Sequence, residues 1–492
     1  MKKEPVVWDG LTVSVAFPNK GLVVPVCTET PKEPLPTGFS SAEQSAAGEG
    51  APSVVSGSAA GAEPAALQSA ARPVHVKDVL PGQIVRIYQT PHMVKRKEGT
   101  LREIIRPAPY EIPSLCPHAG VCGGCAYQTV PYEKQLEWKR QTVTDLFHGE
   151  YDLPPVIPSP DPIGYRNKME FSFGDEYKDG PLTLGLHKRS AYHDIVPIDG
   201  CQIVPEDFIP IVAAVQDYFR ETGAGYYNTR SHTGFLRHLV LRHSRTEGKT
   251  MVNLVTSSQG RFDAEGFVRR LLDLPLRGQI SGILHTCNDS QADVVQADSV
   301  RILYGVSDLN ESLLGLSFTL SPFSFFQTNT RGAEALYSAV LDMAGNVAGK
   351  TVFDLYCGTG TISQIFAHAG ARKVYGIELV PEAVDAARQN ALNNGLDNCE
   401  FYAGDVLKLV PTMPDRPDLI ILDPPRDGVH PKALPEILAF APRQFLYISC
   451  KPTSLVRDLP FFLDAGYKVT GMQCVDMFPG TPGIETIAKL DR

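Results

Sequence analysis

Two residues near the end of the chain carry the side chains of covalent catalysis. Cys450 stands in ISCKP, at the end of an apolar segment, with Lys451 and Pro452 behind it. A buried, inert thiol is the usual fate of a free cysteine. A thiol at a strand end with a cation beside it is instead favoured as the thiolate, the nucleophilic form. Glu485, in MFPGTPGIETIA, adjoins the last apolar segment and supplies a carboxyl for proton transfer. A second set of thiols lies far upstream. Cys116, Cys122 and Cys125 fall within ten residues, and Cys201, in IDGCQIVP, is the natural fourth. Four thiolates suit tetrahedral zinc or an iron–sulfur cluster. Zinc sites pair two CxxC knuckles and this chain has one, so the three-plus-one spacing favours a [4Fe–4S] cluster.

Such groups need a frame. From about Ser321 a helical stretch (331–345) leads into strand–helix alternation: TVFDLYCGTG, KVYGIEL, CEFYAGD, DLIILDPP and QFLYISC as buried strands, with PEAVDAARQNALNNG as a helix between Pro381 and Gly395. This predicts an α/β, doubly wound, Rossmann-like domain on a parallel sheet. Asp354, Glu378, Asp405, Asp423 and Cys450 each fall at or just past a strand end. Carboxyl ends of parallel strands share one edge, so four carboxylates and one thiol are expected at one crevice.

Asp354-Leu-Tyr-Cys-Gly-Thr-Gly resembles the first motif of S-adenosylmethionine-dependent methyltransferases. Gly358 and Gly360 permit a tight turn and close approach of a ligand. No GK[ST] follows, and Ser363 occupies the third glycine position, so a pyrophosphate loop is disfavoured. Glu378, 24 residues after Asp354, is placed to accept ribose hydroxyls, and Asp405 to reach an adenine. Beside a methyl donor, Cys450 and Glu485 suit one reaction. Thiolate addition at C6 of uracil makes C5 nucleophilic, a methyl group is transferred to C5, and a base removes the C5 proton. Asp423-Pro424-Pro425-Arg426 resembles an amino-group methyltransferase signature in which an aromatic residue follows the prolines; Arg426 suits a different target or a phosphate.

SPFSFFQTN, DLYCGTG, GIE, LDPPR, SCKP and FPGTPGIET, in that order over roughly 320–492, resemble the bacterial uridine-C5 RNA methyltransferase family. The resemblance implies Cys450 as nucleophile and Glu485 as base. It implies cofactor contacts at Gln327, Tyr356, Gly358, Gly360, Thr361, Glu378, Asp405 and Asp423. Two departures stand out: Lys451 where the family usually has Asn, and Gly483 where it usually has His. CPHAGVCGGCAYQ resembles the cluster motif of the 23S ribosomal-RNA (uracil-5-)-methyltransferase branch, which implies Cys116, Cys122, Cys125 and Cys201 as ligands and tilts the substrate toward large ribosomal RNA. The cluster is expected to be structural or to position RNA.

The rest of the chain fits this reading. It has 492 residues, 43% hydrophobic and 21% charged, with ten cysteines and a net charge of −9. That excludes a globally basic nucleic-acid coat and a disulfide scaffold, and leaves RNA to local patches. No apolar run nears the ~20 residues of a membrane span, and MKKEPVVWDG lacks the apolar stretch of a secretory signal. The expected protein is cytoplasmic, monomeric and bound to RNA, with no membrane partner. Residues 1–110 are expected as a small barrel resembling the TRAM RNA-binding domain, built from a strand with Leu11, Val13, Val15 and Phe17 alternating and from VHVKDVLPGQIVRIYQT. A disordered Ala/Ser/Gly/Pro-rich insert at about 31–73 interrupts it. Residues 111–320 are expected as the cysteine segment, a helix over PYEKQLEWKRQTVTDLF and a β-rich RNA-binding domain whose one good amphipathic helix is VPEDFIPIVAAVQDYFRE. Residues 321–492 form the methyltransferase domain. Segment 226–250 holds five Arg/Lys against one acid, and Arg166 and Lys168 add to it, so these cations are expected at phosphates. Two further readings are a tRNA uridine-C5 methyltransferase and a non-catalytic RNA-binding ribosome assembly factor. A cytosine-C5 enzyme is disfavoured because the Asp423 loop lacks the second cysteine.

Overall fold

The structure, a computed structural model, describes residues 6–16, 20–25, 73–189, 191–292 and 295–492. All but the last residue of the expected insert (31–73) lie outside the described residues. The chain divides into two compact units, 1–109 and 110–492.

In the first unit, β1 (Val6–Ala16), β2 (Lys20–Pro25), β3 (Val74–Lys77), β4 (Ile84–Gln89) and β5 (Glu98–Arg106) close into a barrel in the order β1-β2-β3-β5-β4. Helix α1 (Pro91–Arg96) joins β4 to β5, capped by the Thr90 hydroxyl, which accepts from Met93 N. Val23, Val74, Val76, Val79, Val85 and Ile87 fill the barrel. The expected inward row was misplaced. Thr12 is buried, whereas Val13 is the extra, unpaired residue of a bulge between Thr12 and Ser14 and is 45% exposed; Phe17 lies outside the described residues.

The second unit holds two seven-stranded sheets. Helix α2 (Tyr132–Leu146) precedes the central sheet of β6 (Lys168–Asp175), β7 (Leu182–Lys188), β8 (Ala191–Pro197), β9 (Leu236–Ser244), β10 (Lys249–Thr256), β11 (Gln279–Cys287) and β12 (Ser299–Gly305), ordered β12-β11-β10-β9-β6-β7-β8. Helix α3 (Phe208–Thr222) covers it, joined by α4 (Ala264–Leu272), a nine-residue helix that sequence pattern did not single out; Asp263 caps it through Glu265 N and Gly266 N. A hairpin, β13 (Leu309–Leu313) and β14 (Leu316–Leu320), leads to α5 (Thr330–Ala344).

The second sheet contains β15 (Thr351–Leu355), β16 (Lys373–Glu378), β17 (Cys399–Ala403), β18 (Leu419–Leu422), β19 (Gln444–Ser449), β20 (Lys468–Val475) and β21 (Glu485–Asp491). Their order is β17-β16-β15-β18-β19-β21-β20, with the first five parallel and the last two antiparallel to their neighbours. Helices α6 (Thr361–His368), α7 (Pro381–Asn393), α8 (Val406–Leu409), α9 (Ala433–Ala439) and α10 (Pro452–Asp464) wind on both faces. Leu336, Val340, Ile362 and Phe366 fill one face, and Val143 of α2 joins Phe353, Tyr447, Leu455 and Phe462 on the other. The doubly wound expectation is met. Runs such as Leu419–Leu422, buried at every position, are what a parallel strand covered on both faces requires.

Candidate active site

Every strand-end residue singled out above lies on one edge of the second sheet. Asp354 is one residue before the end of β15, Glu378 ends β16, Asp405 caps α8 just beyond β17, and Asp423 and Cys450 directly follow β18 and β19. The β19–β21 ladder supplies the sharpest placement. Ser449 pairs with Thr486, so the next step of the register sets Cys450 across from Glu485. The end of the ladder thus brings together two residues 35 positions apart in the chain, and the Glu485 charge acts on the Cys450 thiol.

The turn after β15 is strained where a ligand must approach. Tyr356 holds a positive φ of 73°, and its N–H and that of Cys357 both donate to Ile377 O. Gly360, at φ 76°, caps α6; a Cβ there would stand 2.8 Å from the Phe401 ring and 2.9 Å from Ala387. Glu378 accepts from Gly358 N (3.0 Å) and Val380 N (3.1 Å), which ties the turn to β16 and leaves lone pairs free. Asp405 is exposed and accepts from Leu407 N. Thr359 donates to Phe325 O, and Thr361 opens α6. Ser363, in the third glycine position, donates at 2.6 Å to Asp354, so a hydroxyl stands there to hold a buried acid. The Gln327 side chain hydrogen-bonds the Tyr337 hydroxyl, and its carbonyl accepts from Asn167.

The electrostatics of this edge are one-sided. Burial pushes the Asp354 carboxyl up to about 6, despite the Ser363 hydrogen bonds. Burial, then the Asp354 charge, pushes Asp423 up to about 7. Burial, then Asp423, pushes Glu485 up to about 8, against a lowering by Arg426. Burial, then Glu485 and Asp423, pushes the Cys450 thiol up to about 11, and Arg426 opposes this by charge and a hydrogen bond. Two expectations change here. The cation bearing on the sulfur is Arg426, not Lys451, whose backbone instead caps α10 and whose N–H donates to Ser449 Oγ. And the thiol is held protonated in the free protein, because burial and the carboxyls of Glu485 and Asp423 outweigh one guanidinium. Arg426 itself is fixed from α10: Ser454 donates to Arg426 O (2.9 Å) and Arg457 to Asp427 O (2.7 Å). Sequence reading missed Arg426 as a thiol partner and Tyr337 altogether, since Tyr337 reads as an ordinary core position of α5. At Gly483 a Cβ would meet the Phe478 ring at 3.2 Å.

The crowded carboxyls, with Asp354 Oδ1 buried and without a partner, form an environment suited to a cationic ligand. They also set a pH dependence. These carboxyls keep protons in the folded chain to a higher pH than in the unfolded chain, so stability is expected to fall as pH rises from about 5 to about 8. Melting temperatures across that window check this, with a shallower slope in Glu485→Gln; a flat wild-type curve contradicts it.

Cys116, Cys122, Cys125 and Cys201 are brought into one neighbourhood. Burial pushes Cys201 up to about 11, and Cys125, Cys116 and Cys122 all add to that shift. Cys122 Sγ accepts from Gly124 N, and the charges of Arg189 and Arg166 reach Cys122 and Cys125. His118 bridges to Asp199 at 2.7 Å, stapling the two cysteine loops. Among the described residues, no group of three or more Cys, His, Asp or Glu is drawn closely enough to hold a metal ion, so the structure does not support the expected cluster site.

The expected phosphate-binding row is partly withdrawn. Arg237 and Arg242 are each 3% exposed, because β9 is an inner strand covered on both faces. Arg237 donates to the carbonyls of Asn288, Ser290 and Ala292, and Arg242 to those of Ser321 and Ser324. Arg230, Arg245 and Lys249 keep solvent access.

Residues 346–451 match the family described as a methyltransferase domain. A Clostridium tetani protein named an uncharacterized RNA methyltransferase is 47% identical over 423 residues, which cover 85% of this chain and 92% of that one. A Clostridium acetobutylicum protein of the same description is 44% identical over equal shares. Among solved structures, a tRNA (uracil-54, C5)-methyltransferase of Pyrococcus abyssi in complex with S-adenosyl-L-homocysteine superposes with a TM-score of 0.68. It is 26% identical, and the match covers 85% of this chain and 95% of that one.

Proposed function

The chain belongs to the RNA methyltransferase family, and from that premise we propose that it methylates C5 of a uridine in RNA, using S-adenosylmethionine. The observation that carries this reading is the placement of Cys450 opposite Glu485 on the crevice edge. The P. abyssi neighbour, a uracil-C5 enzyme that binds S-adenosylhomocysteine, supports both substrate base and cofactor. Gln327, Tyr356, Gly358, Gly360, Thr361, Glu378, Asp405 and Asp423 would hold the cofactor, which when bound supplies an electrophilic methyl group. Its positive charge also suits an edge crowded with carboxyls and would draw Cys450 and Glu485 toward their ionised forms. Cys450 Sγ adds to C6 of an everted uracil, with Arg426 favouring the thiolate. After transfer, Glu485 takes the C5 proton, and elimination frees the sulfur. A carboxyl with a pKa near 8 is well placed for that exchange at neutral pH.

Cys116, Cys122, Cys125 and Cys201 are proposed as ligands of a [4Fe–4S] cluster. What supports this reading is the convergence of Cys116, Cys122 and Cys125 on the Cys201 thiol, and the group's chemistry would be to cross-link the two loops. Anaerobically purified protein is expected to be brown and to contain iron and labile sulfide; a colourless zinc protein contradicts this. The cysteine motif favours large ribosomal RNA as substrate, and the P. abyssi neighbour favours tRNA as the second reading. Nucleoside mass spectrometry of both RNA fractions from a deletion strain decides. Loss of 5-methyluridine from 23S RNA supports the first and loss from tRNA the second, whereas unchanged modification with defective ribosomes supports the assembly-factor reading.

A further inference from the structure

Glu485 opens β21, and the residues before it do not hang free. The loop Asp476–Gly480 leaves β20 and is gripped mainly from outside its own sheet. Gly480 O accepts from Ala126 N (3.0 Å) and Tyr127 N (2.9 Å), the two residues that follow Cys125. Gly480 N donates to Gln135 Oε1 (2.8 Å), while Gln135 Nε2 donates back to Tyr127 O and Val130 O. Lys139 Nζ donates to Asp476 Oδ1 (2.7 Å) and to Phe478 O (3.1 Å). Gln135, Lys139 and Asp476 are 6%, 2% and 0% exposed.

A buried ion pair is a costly way to gain stability, and its best-attested use is to specify one arrangement over others. Here it specifies where a loop lies. Burial pulls the Lys139 pKa down and the Asp476 charge opposes this. Gly480 has φ 78°, and a Cβ there would lie 3.1 Å from Gln128 Nε2 and 3.8 Å from Cys125 Sγ, so the loop rests directly on the cysteine segment. From Gly480 to Glu485 little slack remains, because Thr481 donates to Phe478 O (2.8 Å) and accepts from Gly483 N (3.2 Å). Cys450, by contrast, follows β19, which is held by its own ladders to β18 and β21.

We infer that the segment from Cys125 to Lys139 sets the position of Glu485, with Gln135 and Lys139 as positioning residues acting through the loop Asp476–Gly480. The inference rests on the reading of Glu485 as the base. Loosening the latch leaves nucleophilic addition by Cys450 in place and misplaces the carboxyl that must take the C5 proton. A shift of about 1 Å is enough to cost on the order of 10²-fold in such a step.

The test is Gln135→Leu in the full-length protein, purified anaerobically, with RNA carrying the target uridine and S-adenosylmethionine. Expected are a kcat lower by about tenfold or more, little change in KM for either substrate, and a larger fraction of RNA trapped as protein adduct on denaturing gels. An unchanged kcat, or adduct formation falling in step with kcat, overturns the inference. If Gln135→Leu does not fold, the double variant Lys139→Met/Asp476→Asn removes both buried charges together and is read by the same criteria. Wild-type protein that yields neither adduct nor 5-methyluridine refutes the underlying reading. Wild-type protein that yields both, beside variants with unaltered partition, refutes the latch alone.

Discussion

Cys450→Ala is expected to abolish methylation, with turnover lower by ~10⁴-fold or more, the scale of losing a covalent nucleophile. No other group at this edge can replace the sulfur. Asp354, Asp423 and Glu485 are carboxyls whose raised pKa values favour the protonated form, and Arg426 has no lone pair to give. Cofactor binding should survive, because its proposed contacts, Gln327 apart, cluster after β15–β18 while Cys450 follows β19. The measurement is single-turnover transfer from methyl-labelled cofactor, with cofactor affinity determined separately. Retained turnover would remove Cys450 from the mechanism. The Cys450 environment adds a pH signature. A thiol pushed up to about 11 in the free protein should give a rate that rises with pH until the cofactor's charge and Arg426 bring the thiolate within reach. Arg426→Ala should move that rise to higher pH.

Glu485→Gln is expected to stop the reaction one stage later. The amide matches the carboxyl in size, so packing at this buried position is kept, but it cannot accept the C5 proton. Addition and methyl transfer proceed, release fails, and protein accumulates as a covalent adduct with methylated RNA. Loss of a general base costs about 10²–10⁴-fold in turnover. A gel-stable species carrying both RNA and labelled methyl is the expected observation. Free 5-methyluridine at the wild-type rate would contradict the role. The contrast between the two variants, no adduct in one and trapped adduct in the other, separates nucleophile from base.

Much of this site was readable before any fold was known. Parallel strands buried on both faces leave long apolar runs, and the polar residues that end those runs must share the carboxyl edge. Asp354, Glu378, Asp423 and Cys450 were placed correctly on that logic. The same logic failed for Arg237 and Arg242. They lie in RHLVLRH, whose composition reads as a basic surface strand, yet β9 is an inner strand of its sheet and both guanidiniums are spent on backbone carbonyls. Val13 failed for a local reason, since it is the extra residue of a bulge and has no partner in the β1–β2 ladder.

By itself, then, the sequence determined which residue types end which strands, because hydrophobic periodicity and turn residues are local properties of the chain. Tertiary structure alone decided that Glu485 meets Cys450 at the end of an antiparallel ladder, and that Arg426 rather than Lys451 meets the sulfur. It alone decided that Lys139, hundreds of residues upstream, reaches Asp476 beside the catalytic loop. Those outcomes depend on strand register and on desolvation, and both are set by chain segments that meet only once the molecule has folded.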